Sequence, residues 1–340
     1  MTATEKHALP RRKPGEFPGS GEHEMTVAQT SRAEASGKYR HEAFLYSGLA
    51  EFLAGTTSFI RRAVSAGDPV LVVLSGGKID LLRRRLGPDA VHVGFADMTS
   101  VGDNPGRIIA VWRAFVAANA GSSQLWGIGE PVHSERSQTE LAECQLHEAL
   151  LNVAFDAATP FWLLCPYDLE ALTADVIEEA HRSHPFVARG DEHQACGAFR
   201  RIDLAAPFDR PVPPRPADTD FLYFETGDLR RVRAFVAEHA DRAGLDQDSA
   251  GALALAVSEV ATNSIRHGGG HGELRAWICG RSLVCEVSDH GHITLPLVGR
   301  VRPAPDADDG AGLWVANQLC DLVQIYSSRR GTTVRLHTDL

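Results

Sequence analysis

Glu259, Asn263 and His267 recur at i, i+4 and i+8 within the run Ser249-Ala-Gly-Ala-Leu-Ala-Leu-Ala-Val-Ser-Glu-Val-Ala-Thr-Asn-Ser-Ile-Arg-His267. On a helix this spacing lines them up along one flank of the apolar stripe Leu253, Val257, Val260, Ala261 and Ser264. A carboxylate and a carboxamide one turn apart at the edge of a core point to a cleft. Downstream, Asp289 ends an alternating run, Leu283-Val-Cys-Glu-Val287, two residues before Gly291. An Asp there can face a pocket while the backbone turns away. Asp309-Gly-Ala-Gly-Leu313 then opens a helix, where Gly310 and Gly312 let backbone N–H groups approach an anion. Gly331-Thr-Thr333 precedes the last strand. Each feature alone is weak; in this order they describe a pocket for a phosphate-bearing ligand.

The elements that must position them are legible. A strand is predicted over 221–225, helices over 228–243 and 248–267, and strands near 272–279 and 282–288. A helix over 310–320 and strands near 322–327 and 332–337 complete the set. Gly268-Gly-Gly270 ends the long helix. Helices laid on an antiparallel or mixed sheet give a two-layer α+β sandwich.

Glu-x-x-x-Asn on a helix, Asp-x-Gly after a strand, Gly-x-Gly-Leu at a helix start and Gly-Thr near the end resemble the Bergerat-fold (GHKL, histidine-kinase-like) ATPases over 221–337. The short lid between Asp289 and Gly310 narrows the likeness to the anti-sigma-factor serine kinases. The resemblance implies ATP and Mg²⁺ as cofactors. It implies that Asn263 ligates Mg²⁺, that Glu259 is the catalytic base or positions the attacking hydroxyl, and that Asp289 accepts from the adenine amino group. Gly291 would leave room for the base, and Gly310, Gly312 and Leu313 would meet the phosphates. Thr332 or Thr333 would bond near Asp289. His267 stays open between closing its helix and touching the nucleotide.

The preceding residues read as an open, mainly parallel α/β sheet. Strands are predicted at 69–74, 91–95, 124–128 and 160–165, with helices at 105–119, 138–156 and 168–182 between them. Phe44, Leu45, Leu49, Phe52, Leu53, Phe59 and Ile60 recur at helical spacing. Ser75-Gly-Gly-Lys78 is half a phosphate loop, with no first Gly and with Ile79 at the Ser/Thr position, and reads as a plain polar turn. His181 and His184 offer two metal ligands with no third nearby, which argues against a metal. His41, Gly129-Glu130, Glu148 to Asn152, Cys165-Pro-Tyr-Asp168 and His184-Pro185 together resemble the MEDS sensory domain, a RecA-like module, over roughly 40–188. That likeness implies a small-molecule ligand, with Glu130, Glu148, Asn152, Cys165 and Asp168 as candidate contacts. His41 and His147 are each followed by Glu-Ala, but no helix-kinking Pro follows, so a phosphoacceptor histidine is not expected and ordinary helix histidines are.

The resulting organisation is a disordered tail (1–36), a sensory domain (37–188), a Pro-rich linker (189–216) and an ATPase domain (217–340) expected to fold alone. Composition fits: 340 residues exceed a typical single core, and 44% hydrophobic with 23% charged residues excludes wholesale disorder. The net charge of −10 speaks against coating nucleic acid. Six cysteines without a C-x-x-C pair suit a reducing cytoplasm, and no apolar run reaches the roughly 18 residues of a membrane span. The fused pair resembles anti-sigma regulators, implying a sigma factor and an anti-anti-sigma protein as partners. The resemblance implies that the protein holds sigma inactive and phosphorylates a Ser/Thr of the antagonist, and that the unphosphorylated antagonist draws it off sigma. A non-catalytic ATP-dependent binding module and an atypical sensor histidine kinase are the alternatives, and a homodimer is left open.

Overall fold

A computed structural model describes residues 38–304 and 310–340. The tail over 1–36 and Asp309 lie outside the described residues. The first half runs β1 (Arg40–Tyr46), α1 (Gly48–Ala66), β2 (Val70–Leu74), α2 (Gly76–Leu86), β3 (Val93–Asp97) and the single-turn α3 (Met98–Val101). There follow α4 (Ile108–Ala118), β4 (Leu125–Gly129), α5 (Gln138–Ala154), β5 (Phe161–Asp168), α6 (Ala174–Ser183), β6 (Phe186–Arg189) and β7 (Glu192–Ala195). Among the described residues these strands make one sheet in the order β3-β2-β4-β5-β1-β6-β7, parallel throughout except for the β6–β7 hairpin. Ser137 and Glu140 close a capping box at the start of α5.

Two expectations are corrected here. His41, Phe44 and Leu45 lie on a strand, because six successive residues of β1 are buried between β5 and β6 while the helical spacing belongs to α1. The sheet also runs past 188 to Ala195, since β6 pairs with β1 and β7 with β6.

The second half runs β8 (Asp220–Glu225), α7 (Leu229–Ala243), α8 (Gln247–His267), β9 (His271–Cys279) and β10 (Ser282–Asp289). It ends with α9 (Ala311–Leu319), β11 (Leu322–Ser328) and β12 (Gly331–Asp339). The sheet order is β11-β12-β10-β9-β8 and every pair is antiparallel. Asp246 caps α8 by accepting from the Asp248 and Ser249 N–H groups. Val257, Val260 and Ala261 of α8, with Leu313 of α9, pack on Leu274, Val287 and Val334 of the sheet.

The Pro-rich stretch is not a free spacer. Prolines forbid a helix there but not packing. Phe208 is fully buried in the second core and its carbonyl accepts from Ser327 N–H of β11. Arg210 pairs with Glu143 of α5. The described residues therefore form one compact unit.

Candidate functional site

α8 brings Asn263 and His267 to one wall of a cleft, with Glu259 one turn before Asn263 and against Gly312, and the end of β10 brings in Asp289. The cavity, about 240 Å³, is lined by Asn263, His267, Asp289, Gly291, Gly310, Leu313 and Thr332, with Val260, Ile293, Leu295, Val298 and Val334 as apolar walls. Apolar walls with a few convergent polar groups are what a ligand pocket needs. Asp289 is held from two sides. Its Oδ2 accepts from Ser264 Oγ at 2.6 Å and its Oδ1 from Gly291 N–H at 2.7 Å. Gly268 ends α8 where any Cβ would collide with the Asp289 carboxylate, so the glycine lets the strand end lie against the helix end.

Thr332 lies opposite Asp289 on β12 and its hydroxyl donates to the Gly291 carbonyl at 2.9 Å. Ser327 Oγ bonds Thr332 Oγ1 at 2.7 Å and accepts from Ile293 N–H at 2.8 Å, which stitches the loop after Asp289 to β11 and β12. Thr333 is corrected. A strand's side chains alternate, so it faces away from this cleft and bonds Ser288 Oγ at 3.1 Å. It lines a wider concavity of about 1140 Å³, which takes no residue from α8.

At the other end of the cleft, Gly310 starts α9 with a φ of 89°, a left-handed conformation that suits glycine. A Cβ on Gly312 would stand 3.1 Å from Asn263 Nδ2 and 3.2 Å from Glu259 Oε2, so its lack of a side chain sets α9 directly on these two groups. Glu259 and Asn263 are half-buried, and among the described residues neither side chain has a hydrogen-bond or ion-pair partner. A half-buried carboxamide oxygen with no protein donor suits a hard cation. The residues present thus fit a Mg²⁺–nucleotide.

The sensory candidates divide into two groups. Glu130 follows β4 and takes Lys78 Nζ at 2.6 and 2.7 Å and Tyr46 OH at 2.9 Å. Burial raises the Glu130 carboxyl above its usual range against the pull of Lys78. Lys78 is thereby engaged by a carboxylate, and it stands in the first turn of α2, directly after β2. Asp168 caps the Glu170 N–H and its charge reaches Glu130 and Tyr46. Glu148, Asn152 and Cys165 gather elsewhere, with His41 and His184. His41 Nε2 stands 3.0 Å from Glu148 Oε2, and Cys165 Sγ stands 3.4 Å from each of those atoms. Expecting no third partner near His184 was wrong, because β1 inserts beside β5 and brings His41 to it across the chain. His181 is apart, bonded to the Ile177 carbonyl.

Sequence reasoning missed Ser264 as the holder of Asp289; its only sign was a hydroxyl in an apolar stripe. It also missed the interface made by Glu143, Arg210 and Arg300, where Arg300 Nη2 donates to Glu143 Oε2 at 2.7 Å. No signal in the sequence pairs those positions.

Residues 40–185 match the family model of the MEDS domain, described as the methanogen/methylotroph, DcmR sensory domain. Residues 224–338 match the model of the histidine kinase-like ATPase domain. No curated protein matches. Among solved structures, the RsbU and RsbW domains of Rv1364c from Mycobacterium tuberculosis align at 19% identity over 62% of this chain, with a TM-score of 0.27. The alignment spans half of that structure's length. The catalytic domain of histidine kinase ThkA aligns at 14% identity over 35% of this chain and 95% of its own, TM-score 0.24. Acinetobacter baumannii histidine kinase AdeS aligns at 11% identity over 35% of this chain and 67% of its own, TM-score 0.21. Among the described residues no helix is long and apolar enough to cross a membrane.

Proposed function

Since the chain joins a MEDS domain to a histidine kinase-like ATPase domain, we propose that it is an ATP-dependent protein serine/threonine kinase of the anti-sigma kind. In this reading it sequesters a sigma factor and phosphorylates an anti-anti-sigma antagonist. The observation carrying the kinase reading is the pair Glu259 and Asn263, without a partner among the described residues, one turn apart and set beneath Gly312 of α9, with Asn263 lining the same cleft as Asp289.

Each residue then has a task. Asp289, fixed by Ser264 and Gly291, accepts from an exocyclic amino group of the base while Val260, Ile293 and Val334 cover its faces. Thr332 holds the Gly291 carbonyl and keeps that pocket in shape. The N–H groups at the start of α9 face the phosphates, where a helix N-terminus favours an anion. Asn263 would hold Mg²⁺, which neutralises charge on the phosphates and orients them for transfer. Glu259 orients the incoming hydroxyl and takes its proton. Phosphoryl transfer asks chiefly for such positioning, so few groups suffice.

His41 and His147 are buried within the first sheet's packing, which counts against either as a phosphoacceptor. The experiment is phosphotransfer from labelled ATP by the full chain to a partner captured from its own cells. Acid-stable label on a Ser or Thr of the partner is expected. Partner capture that needs ATP but leaves no label would favour a non-catalytic module. Acid-labile label on this chain itself would favour a histidine kinase.

A further inference from the structure

We propose that His41, Glu148, Cys165 and His184 form a closed site for one divalent transition-metal ion, and that zinc is the ion these donors suit best. The four side chains come from β1, α5, β5 and the end of α6. All are buried, between 0% and 2% exposed, and their ligand atoms lie within 4.8 Å of one another. With metal bonds of about 2.0–2.3 Å, neighbouring ligands on a tetrahedron stand roughly 3.3–3.6 Å apart. Four of the six edges here measure 3.0, 3.4, 3.4 and 3.3 Å.

The outer partners fix where the lone pairs point. His184 Nδ1 lies 2.8 Å from the Ala180 carbonyl, which can only accept, so that nitrogen carries a proton and, in the neutral ring, Nε2 is a lone pair. His41 Nδ1 faces Asn152 Oδ1 at 3.2 Å. The amide cannot be reversed, because Asn152 Nδ2 donates to the Ser183 carbonyl at 2.7 Å. In the neutral ring, His41 Nε2 is therefore a lone pair too. Both imidazoles thus aim acceptors at the Glu148 carboxylate, and His184 Nε2 and Glu148 Oε1 have no hydrogen-bond partner. Acceptors facing each other in a dry pocket repel unless a cation stands among them. Imidazole held through its other nitrogen by a carbonyl-type acceptor is the usual second shell of a metal ligand.

Charge balances as well. On loading, Cys165 releases its thiol proton to solvent, and one thiolate with one carboxylate cancels the ion's two positive charges. Four protein ligands leave no open position, so the ion ties four elements of the first domain together and does no chemistry of its own.

The full chain is stripped with a chelator and reloaded with Zn²⁺ alone or Co²⁺ alone. About one ion per chain should survive desalting, the cobalt form should show a thiolate-to-metal absorption band, and zinc should raise the melting temperature. Cys165→Ser should lose the band. Asn152→Ala keeps all four donors and frees His41, so it should keep the band and bind zinc about 10–100-fold more weakly. Wild-type protein that retains neither ion, or retains cobalt without the band, would overturn the proposal. So would zinc affinity left unchanged in Asn152→Ala. If Cys165→Ser fails to fold, the wild-type cobalt spectrum and the Asn152→Ala titration decide alone.

Discussion

Asp289 already accepts from Ser264 and Gly291 before any ligand arrives, and these bonds aim the carboxylate. Replacing it by Asn keeps the shape but offers an N–H where an acceptor is needed. Asp289→Asn should therefore weaken ATP binding by about 1.5–3 kcal/mol, the span for a hydrogen bond to a charged group. Calorimetry reads this directly, and unchanged affinity would move the nucleotide out of this cleft. In the proposed kinase reading Glu259 has a different task, beside Gly312. Among the described residues its side chain makes no hydrogen bond or ion pair, so Glu259→Gln should fold and bind ATP normally while phosphotransfer falls about 10²–10⁴-fold, the usual share of a general base. A variant retaining the full rate would reduce Glu259 to a neighbour of Gly312.

At the scale of elements, the site depends on α9 lying on α8. The contact runs through Gly312, with Glu259 and Asn263 beneath it. Gly312→Ala puts a methyl within about 3 Å of both side chains, whose ends must swing aside. A displacement of about 1 Å at reacting groups can cost up to 10²-fold. Single-turnover transfer should slow by roughly 10–10²-fold, with ATP affinity changed less. Equal losses in both would mean that α9 itself had been displaced.

This cleft was largely legible because its signals are local. The i, i+4 spacing, the Asp at a strand end and the paired glycines each fall within one element or its cap. Choosing between Thr332 and Thr333 was not possible from the sequence, because only the β10–β12 register says which faces Asp289. β1 was misread because its short buried run is followed directly by α1, whose periodicity dominates any window over both. The MEDS resemblance rests on boxes that contain His41, Glu148, Cys165 and His184, but their meeting in space was not legible from spacing. It exists only because β1 pairs with both β5 and β6, a pairing between residues more than a hundred positions apart.

Across the whole molecule, the two sheets meet through polar groups that would be costly to bury alone. Glu143 of α5 and Arg300 are almost wholly buried and paired, and Arg210 adds a second guanidinium. Asn104 and Arg107 donate to the carbonyls of Asn317 and Cys320 at the end of α9. Arg300 lies two residues after Val298, a wall of the cleft that holds Asn263 and Asp289, and Glu143 lies five residues before Glu148 on α5. A change in the first domain thus has a physical path to the lid, although a path alone is not regulation. Removing one partner of a buried ion pair costs about 3–5 kcal/mol, because the other charge stays buried. In Glu143→Ala the cheaper outcome is for the halves to part at this interface and rehydrate Arg300. Wild-type protein should melt in one transition that ATP-Mg raises as a whole, since ligand binding stabilises whatever unfolds with its site. Glu143→Ala should melt in two transitions, and ATP-Mg should raise only the one belonging to residues 217–340. A segment starting at residue 217 should melt lower than one starting at residue 197, because only the longer one keeps Phe208 in its core. A single ATP-responsive transition in Glu143→Ala would show that this interface does not hold the halves together, and the route from sensory domain to lid would have to run through Asn104 and Arg107.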